Sequence, residues 1–371
     1  MKYRATLCLA GAMVVAAPAW AQQTDTTIGQ SSVTIYGVID TGVEYVRGVP
    51  TTGGATGNQF RVGYGATPSR IGFRGTEDLG GGMRAIFAIE GGFAADTGAS
   101  SQARLFGRQA FVGLDGNFGT ISLGRQYTMR YFGMLDADIF AAASEGLGSL
   151  DAGIPNARAD NSVSYRNKFG AFSGGVNYSF GRDTASASNP TATNCPGEST
   201  DARQCREWSW MLKYDGGNWG LVSAYERQYG GTSATYGGLT SPNLTDSRLT
   251  VNTYAKLGDT QLGAGWLYRN NDGGTLKKSN LYWLVVSQTV SPQFVMDGMA
   301  AINKFDANDK AVLLTLRGTY LLSKRTSLYL TLSSMKNTGI LALPVSTNPP
   351  GTGSLPGGSQ QSIMAGVRHA F

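Results

Sequence analysis

IMAGVRHAF, residues Ile363 to Phe371, closes the chain, and its alternation decides the fold. Taken every second residue, Ile363, Ala365, Val367, His369 and Phe371 form one mostly apolar face of a strand. A strand left as a free edge, ending on an aromatic, frays or recruits foreign strands. It needs a partner, and the other end of the chain offers one in VTIYGVIDTGVEYV, Val33 to Val46. There Val33, Ile35, Gly37, Ile39, Val43 and Tyr45 share one face, while Thr34, Tyr36, Asp40 and Glu44 share the other. Pairing the last strand with the first turns a sheet into a cylinder and removes both edges.

Period-two alternation continues between these ends. Strand-like runs fall near 33–46, 60–76, 83–93, 103–115, 120–128, 160–168, 172–180 and 207–215. They continue at 219–229, 247–258, 260–270, 279–290, 293–305, 310–322, 327–337 and 361–371, which makes sixteen. Short turns such as EDLGGG, DGNFG, NKFGAF, DGGN, LGDT, VSPQ and LSKRT join them pairwise. Long polar stretches, among them 181–206, 230–246 and 338–360, separate the pairs. Short turns on one side and long loops on the other predict a 16-stranded antiparallel transmembrane β-barrel. Its turns are periplasmic and its loops extracellular, with an even strand number returning both termini to the periplasm.

The N-terminus fits export. MKYRATLCLAGAMVVAAPAWAQQ places Lys2 and Arg4 before an apolar run from Ala5 to Ala17, then Ala19-Trp20-Ala21. This reads as a secretory signal peptide over residues 1–21 with cleavage after Ala21. Residues 22–371 then form a single barrel domain in the outer membrane. Gly is 52 of 371 residues and charged residues are only 15%, a poor match to a soluble α/β enzyme. Cys195 and Cys205, separated by nine residues in a polar segment, read as a disulfide pinning a loop in an oxidising compartment.

Taken together, IYGVID, SRIGFRGTEDLGGG, FVGLDGNFGTISLGRQY, SVSYRN and GVRHAF span the mature chain. The sequence resembles the trimeric general porins of Gram-negative bacteria, in particular their β-proteobacterial branch. That resemblance implies a homotrimer forming a water-filled channel for passive diffusion of small hydrophilic solutes and ions. It also implies outer-membrane lipid, lipopolysaccharide and the barrel-assembly machinery as partners. Phe371 resembles the assembly tag of the family, and it is equally an interfacial aromatic in its own right. Small residues Gly37, Ala365 and Ala370 on the first and last strands suit contact between copies.

A cylinder of this width is not filled by its own side chains. The segment expected to narrow it is the third loop, about 128–160, rich in Ala, Leu and Phe. It carries Asp136, Asp138, Glu145 and Asp151, and its Phe132, Leu135, Ile139 and Phe140 suit packing against the inner wall. Alternation supplies the opposing charge. With Ile71 and Phe73 facing lipid, Arg70 and Arg74 face the lumen. With Phe111 facing lipid, Arg108 faces in. With Val163 and Tyr165 facing lipid, Arg158, Asp160 and Arg166 face in. By resemblance, Arg70, Arg108 and Arg158 match the wall arginines of the family's constriction. Asp138 matches an acid of the inserted loop, with Asp136 or Glu145 replacing a second acid. Arg74, Arg104, Arg125 and Arg166 are further lumen candidates. Arginines opposite carboxylates set up a transverse field, and their balance predicts mild anion preference.

Other functions are poorly supplied. Ser- or Cys-based catalysis calls for a His, and the mature chain has one, His369, on the lipid side. The Gly113–Gly119 run has no helix after it, so it is no nucleotide loop. FDANDK, Phe305 to Lys310, lacks the Gly and closing Glu of a calcium loop. No cofactor, metal or nucleic-acid site is expected. The alternatives are a substrate-specific channel or a surface adhesin on a barrel platform.

Overall fold

The computed structural model describes residues 31–182, 195–234, 238–306, 308–349 and 351–371, so the cleavage point expected after Ala21 lies outside it. β1 (Ser32–Pro50) pairs along its extracellular half with β2 (Thr56–Gly63) and along its periplasmic half with β3 (Arg70–Gly80). The following strands are β4 (Met83–Gly92), β5 (Gln109–Gly116), β6 (Gly119–Tyr127), β7 (Arg158–Phe169), β8 (Phe172–Ser179) and β9 (Glu207–Asp215). Then come β10 (Trp219–Tyr229), β11 (Thr245–Leu257), β12 (Thr260–Asn271) and β13 (Lys278–Ser291). β14 (Phe294–Phe305), β15 (Lys310–Leu321), β16 (Thr326–Asn337) and β17 (Ser359–Ala370) complete the sheet. From β3 onward each pairs antiparallel with the next. β17 returns to β1 in register from Val38 opposite Ala370 to Arg47 opposite Gln361. The wall is a closed 16-stranded barrel, because β2 and β3 are successive halves of one stave. Closure leaves no sheet edge facing hydrocarbon.

The run expected as one strand over 60–76 is therefore broken between β2 and β3. Pro68 has no N–H to give to the ladder, and Asp40 of β1 replaces the missing partner strand. Its carboxylate accepts from the backbone N–H groups of Gly65 (3.0 Å), Ala66 (3.2 Å) and Thr67 (3.1 Å). Tyr329 on β16 donates its hydroxyl to the same carboxylate at 2.7 Å. Another run differs at its start: β5 begins at Gln109, and residues 103–106 form a loop with Leu105 exposed, while Arg108 is buried.

Alternation sorts the side chains largely as the sequence reading expects. On β15, Leu314 and Leu316 are 52% and 56% exposed to the outside while Thr315 is buried. On β16, Leu328, Leu330 and Leu332 face out and Tyr329, Thr331 and Ser333 face in. One parity is corrected. Phe111 sits opposite Ala88 and is buried with it and Ile86, so it faces the lumen, and Val112 and Leu114 face lipid. Arg108 still points inward because it precedes β5 and is held there by its own N–H to the Glu90 carbonyl (3.1 Å).

The lumen has two unlike halves. From β12 to β16 many of the inward positions are apolar, with Leu267, Leu281, Trp283, Val285, Met299, Ala301, Leu313 and Met335 buried. The third loop, L3 (residues 128–157), leaves β6 through a short helix, α1 (Met129–Met134), and covers that patch with Met134, Phe140, Leu147, Leu150 and Ile154. Burying such side chains stabilises the seated loop by about 1.5–3 kcal/mol each. The last loop, L8 (residues 338–358), lies in the polar stretch 338–360 that the sequence predicts to be an extracellular loop. It instead turns inward, and Thr347 N–H donates to the Ser144 carbonyl of L3 at 2.9 Å.

Candidate pore constriction

The other half of the lumen, from β1 to β7, is basic. Arg70 opens β3, Arg108 precedes β5 and Arg158 opens β7, so all three stand where the wall leaves or enters a loop. They converge on two groups. Glu90 of β4 accepts from Arg108 Nε at 2.5 Å and from the Tyr36 hydroxyl at 2.9 Å, with Arg70 Nε 3.7 Å away. The Tyr127 hydroxyl accepts from Arg108 Nη2 at 2.8 Å and Arg158 Nη2 at 3.0 Å. Arg158 also lies over the Tyr127 ring at 4.6 Å. Two guanidiniums thus share one carboxylate while the third rests on the tyrosine, and the cluster keeps a positive excess.

Facing them, the edge of L3 is aromatic. Tyr131 stacks on Tyr127 with ring centroids 3.7 Å apart, Phe132 meets both edge-on, and Arg166 lies over Phe132 at 4.3 Å. Arg74 lies over Tyr36 at 5.2 Å. Arg104 and Arg125 stand nearer the extracellular end and both bond Asp160, at 2.8 and 2.6 Å. That carboxylate offsets one of their two charges.

The loop acids do not oppose the arginines, which corrects the expectation drawn for Asp136, Asp138 and Glu145. Asp136 pairs with Lys213 of β9 at 2.9 Å. Asp138 is buried and accepts the Ala141 N–H at 2.9 Å. Glu145 is buried against β17, accepting the Ser362 hydroxyl at 2.8 Å, while the Glu44 carboxylate lies 2.9 Å from that same hydroxyl. One hydroxyl proton cannot serve two carboxylates, so burial and the neighbouring Glu44 push the Glu145 carboxyl up to about 7. Burial does the same to Asp138, also to about 7. The physical reason is the apolar seat. Once Phe140 and Leu147 bury against β12 to β16, the polar groups between them must find partners on that wall. L3 is held at its ends in the same way, by Arg130 to Glu226 (3.2 Å) and Asp151 to Arg248 (2.8 Å).

Several site residues escaped the sequence reading: Glu90, Tyr36, Tyr127, Lys213 and the L8 residues Ser346 to Asn348. Glu90 carried a usable signal, a carboxylate on the inward parity of the strand between the two arginine-bearing segments. Cys195 and Cys205 are bonded to each other beside β9. Phe371 closes the seam, exchanging backbone hydrogen bonds with Gly37 at 3.1 Å in both directions.

The comparisons converge. The chain matches the Gram-negative porin family over residues 5–340. It is 31% identical over 369 residues to outer membrane porin protein 32 of Delftia acidovorans, covering 93% of this chain and 95% of that one. An outer membrane porin protein of Bordetella pertussis is 34% identical over 219 residues, 53% of this chain and 54% of its own length. Among solved structures, the anion-selective porin from Comamonas acidovorans superposes with a TM-score of 0.74 at 29% identity, covering 92% of this chain and all of that one.

Proposed function

This chain belongs to the Gram-negative porin family and so forms a general diffusion channel of the outer membrane, and we propose that it passes small hydrophilic anions in preference to cations. One observation carries the preference: Arg70 and Arg108 share the single carboxylate of Glu90 and Arg158 beside them bonds the Tyr127 hydroxyl and the Pro155 carbonyl, while Asp136, Asp138 and Glu145 are engaged on other parts of the wall. An anion crossing this ring meets net positive charge in a low-dielectric wall, which raises its local concentration. The Comamonas relative is named as anion-selective, which supports the same sign.

The reading extends to assembly. The mature protein starts at Gln22 after signal cleavage, uses Phe371 as its assembly signal, and functions as a homotrimer in contact with lipopolysaccharide. Catalysis has no part in it: the relatives are channels, and His369 Nδ1 contacts Thr326 Oγ1 (2.9 Å) at the periplasmic end of the wall. The test is the reversal potential across a planar bilayer under a KCl gradient, for wild type and Arg108→Ser. Stepwise channels whose anion preference drops in the variant support the proposal. Selectivity indifferent to the substitution refutes the arginine assignment.

A further inference from the structure

Outside the lumen, the lipid-facing surface of β8 to β10 carries a second basic site. On β10, Leu221 is 50% exposed, so the odd positions up to Tyr225, Arg227 and Tyr229 share its outward face. The register agrees, placing Arg227 opposite Trp208, and Tyr225 opposite Trp210 and Leu249. Arg206 precedes the inward, buried Glu207, and its carbonyl accepts the Tyr229 N–H at 2.9 Å, so it joins the same face. The two guanidiniums lie at 4.2 and 5.2 Å from the Tyr229 ring. Among the described residues neither forms a salt bridge, and the Nε of each is buried without a hydrogen-bond partner. Asp201, whose charge Arg206 also feels, is taken up by its two-point pair with Arg203. A pair of like charges on one ring, without a counter-ion, calls for an anion from outside the chain.

Its height and surroundings identify the anion. Trp219 and Tyr229 bracket the outward face of β10, ten residues apart. At ~3.3 Å per residue and a tilt near ~40°, that is a rise of ~25 Å, the height of a barrel's apolar band. Arg206 and Arg227 therefore stand at the outer interface, where headgroups begin. Beside and below them Val163, Val176, Tyr178, Trp208 and Trp210 line an outward apolar groove. The seam of β17 and β1 lies half the circumference away, since β9 and β10 are the eighth and ninth staves from β1. A trimer contact at that seam leaves this face to lipid.

We propose that Arg206, Arg227 and Tyr229 bind a phosphate of the lipid A moiety of lipopolysaccharide, with one of its acyl chains lying in the groove between β7 and β9. The test uses native mass spectrometry of the detergent-solubilised protein titrated with diphosphoryl hexa-acyl lipid A, and with the same lipid stripped of its phosphates. The proposal expects wild type to bind the intact lipid at least tenfold more tightly than the stripped one. Arg206→Ala with Arg227→Ala should bind intact lipid A as weakly as wild type binds the stripped form. Arg206→Lys with Arg227→Lys, which keeps the charge, should stay within about threefold of wild type. Single-channel conductance should be unchanged in both, which separates this site from the lumen and shows that the barrels are folded. Equal binding of intact and stripped lipid A by wild type overturns the proposal, whatever the variants do. So does a folded double Ala variant that binds like wild type.

Discussion

Replacing Glu90 by Gln is the sharpest perturbation of the pore. The amide keeps the volume, its oxygen still accepts from Arg108 Nε and its NH2 donates to the Tyr36 hydroxyl, which turns to accept, but the negative charge between Arg70 and Arg108 is gone. An ion passing about 6 Å from that carboxylate in water feels roughly 0.7 kcal/mol, which screening at 0.1 M salt reduces to about 0.4 kcal/mol. Losing that term raises the local anion concentration about twofold and lowers the cation concentration about twofold. The chloride-to-potassium permeability ratio should then rise roughly fourfold, read as a shift in reversal potential under a KCl gradient near 0.1 M. At 1 M salt the Debye length is ~3 Å, so the same substitution should change the ratio by less than about 1.5-fold. A structural rearrangement would not vanish with salt in this way. An unchanged ratio at low salt, or one that falls, would refute the placement of Glu90 on the conduction path.

The loop supplies a pH prediction. Unfolded, the carboxyls of Asp138 and Glu145 have ordinary values near ~4, whereas in the seated loop both are pushed up to about 7. The seated loop then binds more protons between those values, so its stabilisation is full below about 4 and is lost as pH rises through 7. The protection factors of the Ala143 and Gly146 amides, with the base-catalysed intrinsic exchange rate divided out, should be higher at pH 5 than at pH 8, and Glu145→Gln should weaken that dependence. The L8 residue Asn348 donates to Glu44 (3.0 Å) and to the Tyr64 carbonyl (2.9 Å). Asn348→Ala should loosen L8 from β1 and the β2–β3 bend by about 1–3 kcal/mol, seen as noisier open-channel current. At the seam, a Cβ on Gly37 would lie 2.3 Å from Phe371 Cζ and 2.7 Å from the Arg70 carbonyl. Gly37→Ala should therefore lower the yield of closed, folded barrel about as much as Phe371→Ala does, scored by the shift in gel mobility between unheated and heated samples.

Much of the wall could be read from the chain because a barrel strand records its two environments in alternate residues. Leu328, Leu330 and Leu332 face lipid because hydrocarbon demands it, and no long-range information is needed to see that. Where alternation failed, the cause was local. Pro68 and Asp40 interrupt a stave, and at Phe111 an inward aromatic packs on Ile86 and Ala88, so an apolar residue no longer means lipid. The inner arrangement was harder to read because it is set by contacts far apart in sequence. Glu145 meets Ser362, Asp136 meets Lys213 and Thr347 meets Ser144, and no spacing rule links those positions.

These failures share a physical origin. β13 reads LYWLVVS from Leu281, apolar on both faces, although a strand between lipid and a water-filled lumen should be polar on one. Water cannot line Leu281, Trp283 and Val285 without cost, so something apolar must cover them, and L3 carries the matching Phe140, Leu147 and Leu150. The doubly apolar strands fix where the loop lies. The wall that keeps its inward charges, from β1 to β7, is the side left open to solute. With Phe140 buried and Asp138 beside it, the loop acids follow the apolar residues to the covered wall, away from Arg70, Arg108 and Arg158. The positive field of the constriction thus results from where hydrophobic burial put the negative charges as much as from the arginines themselves.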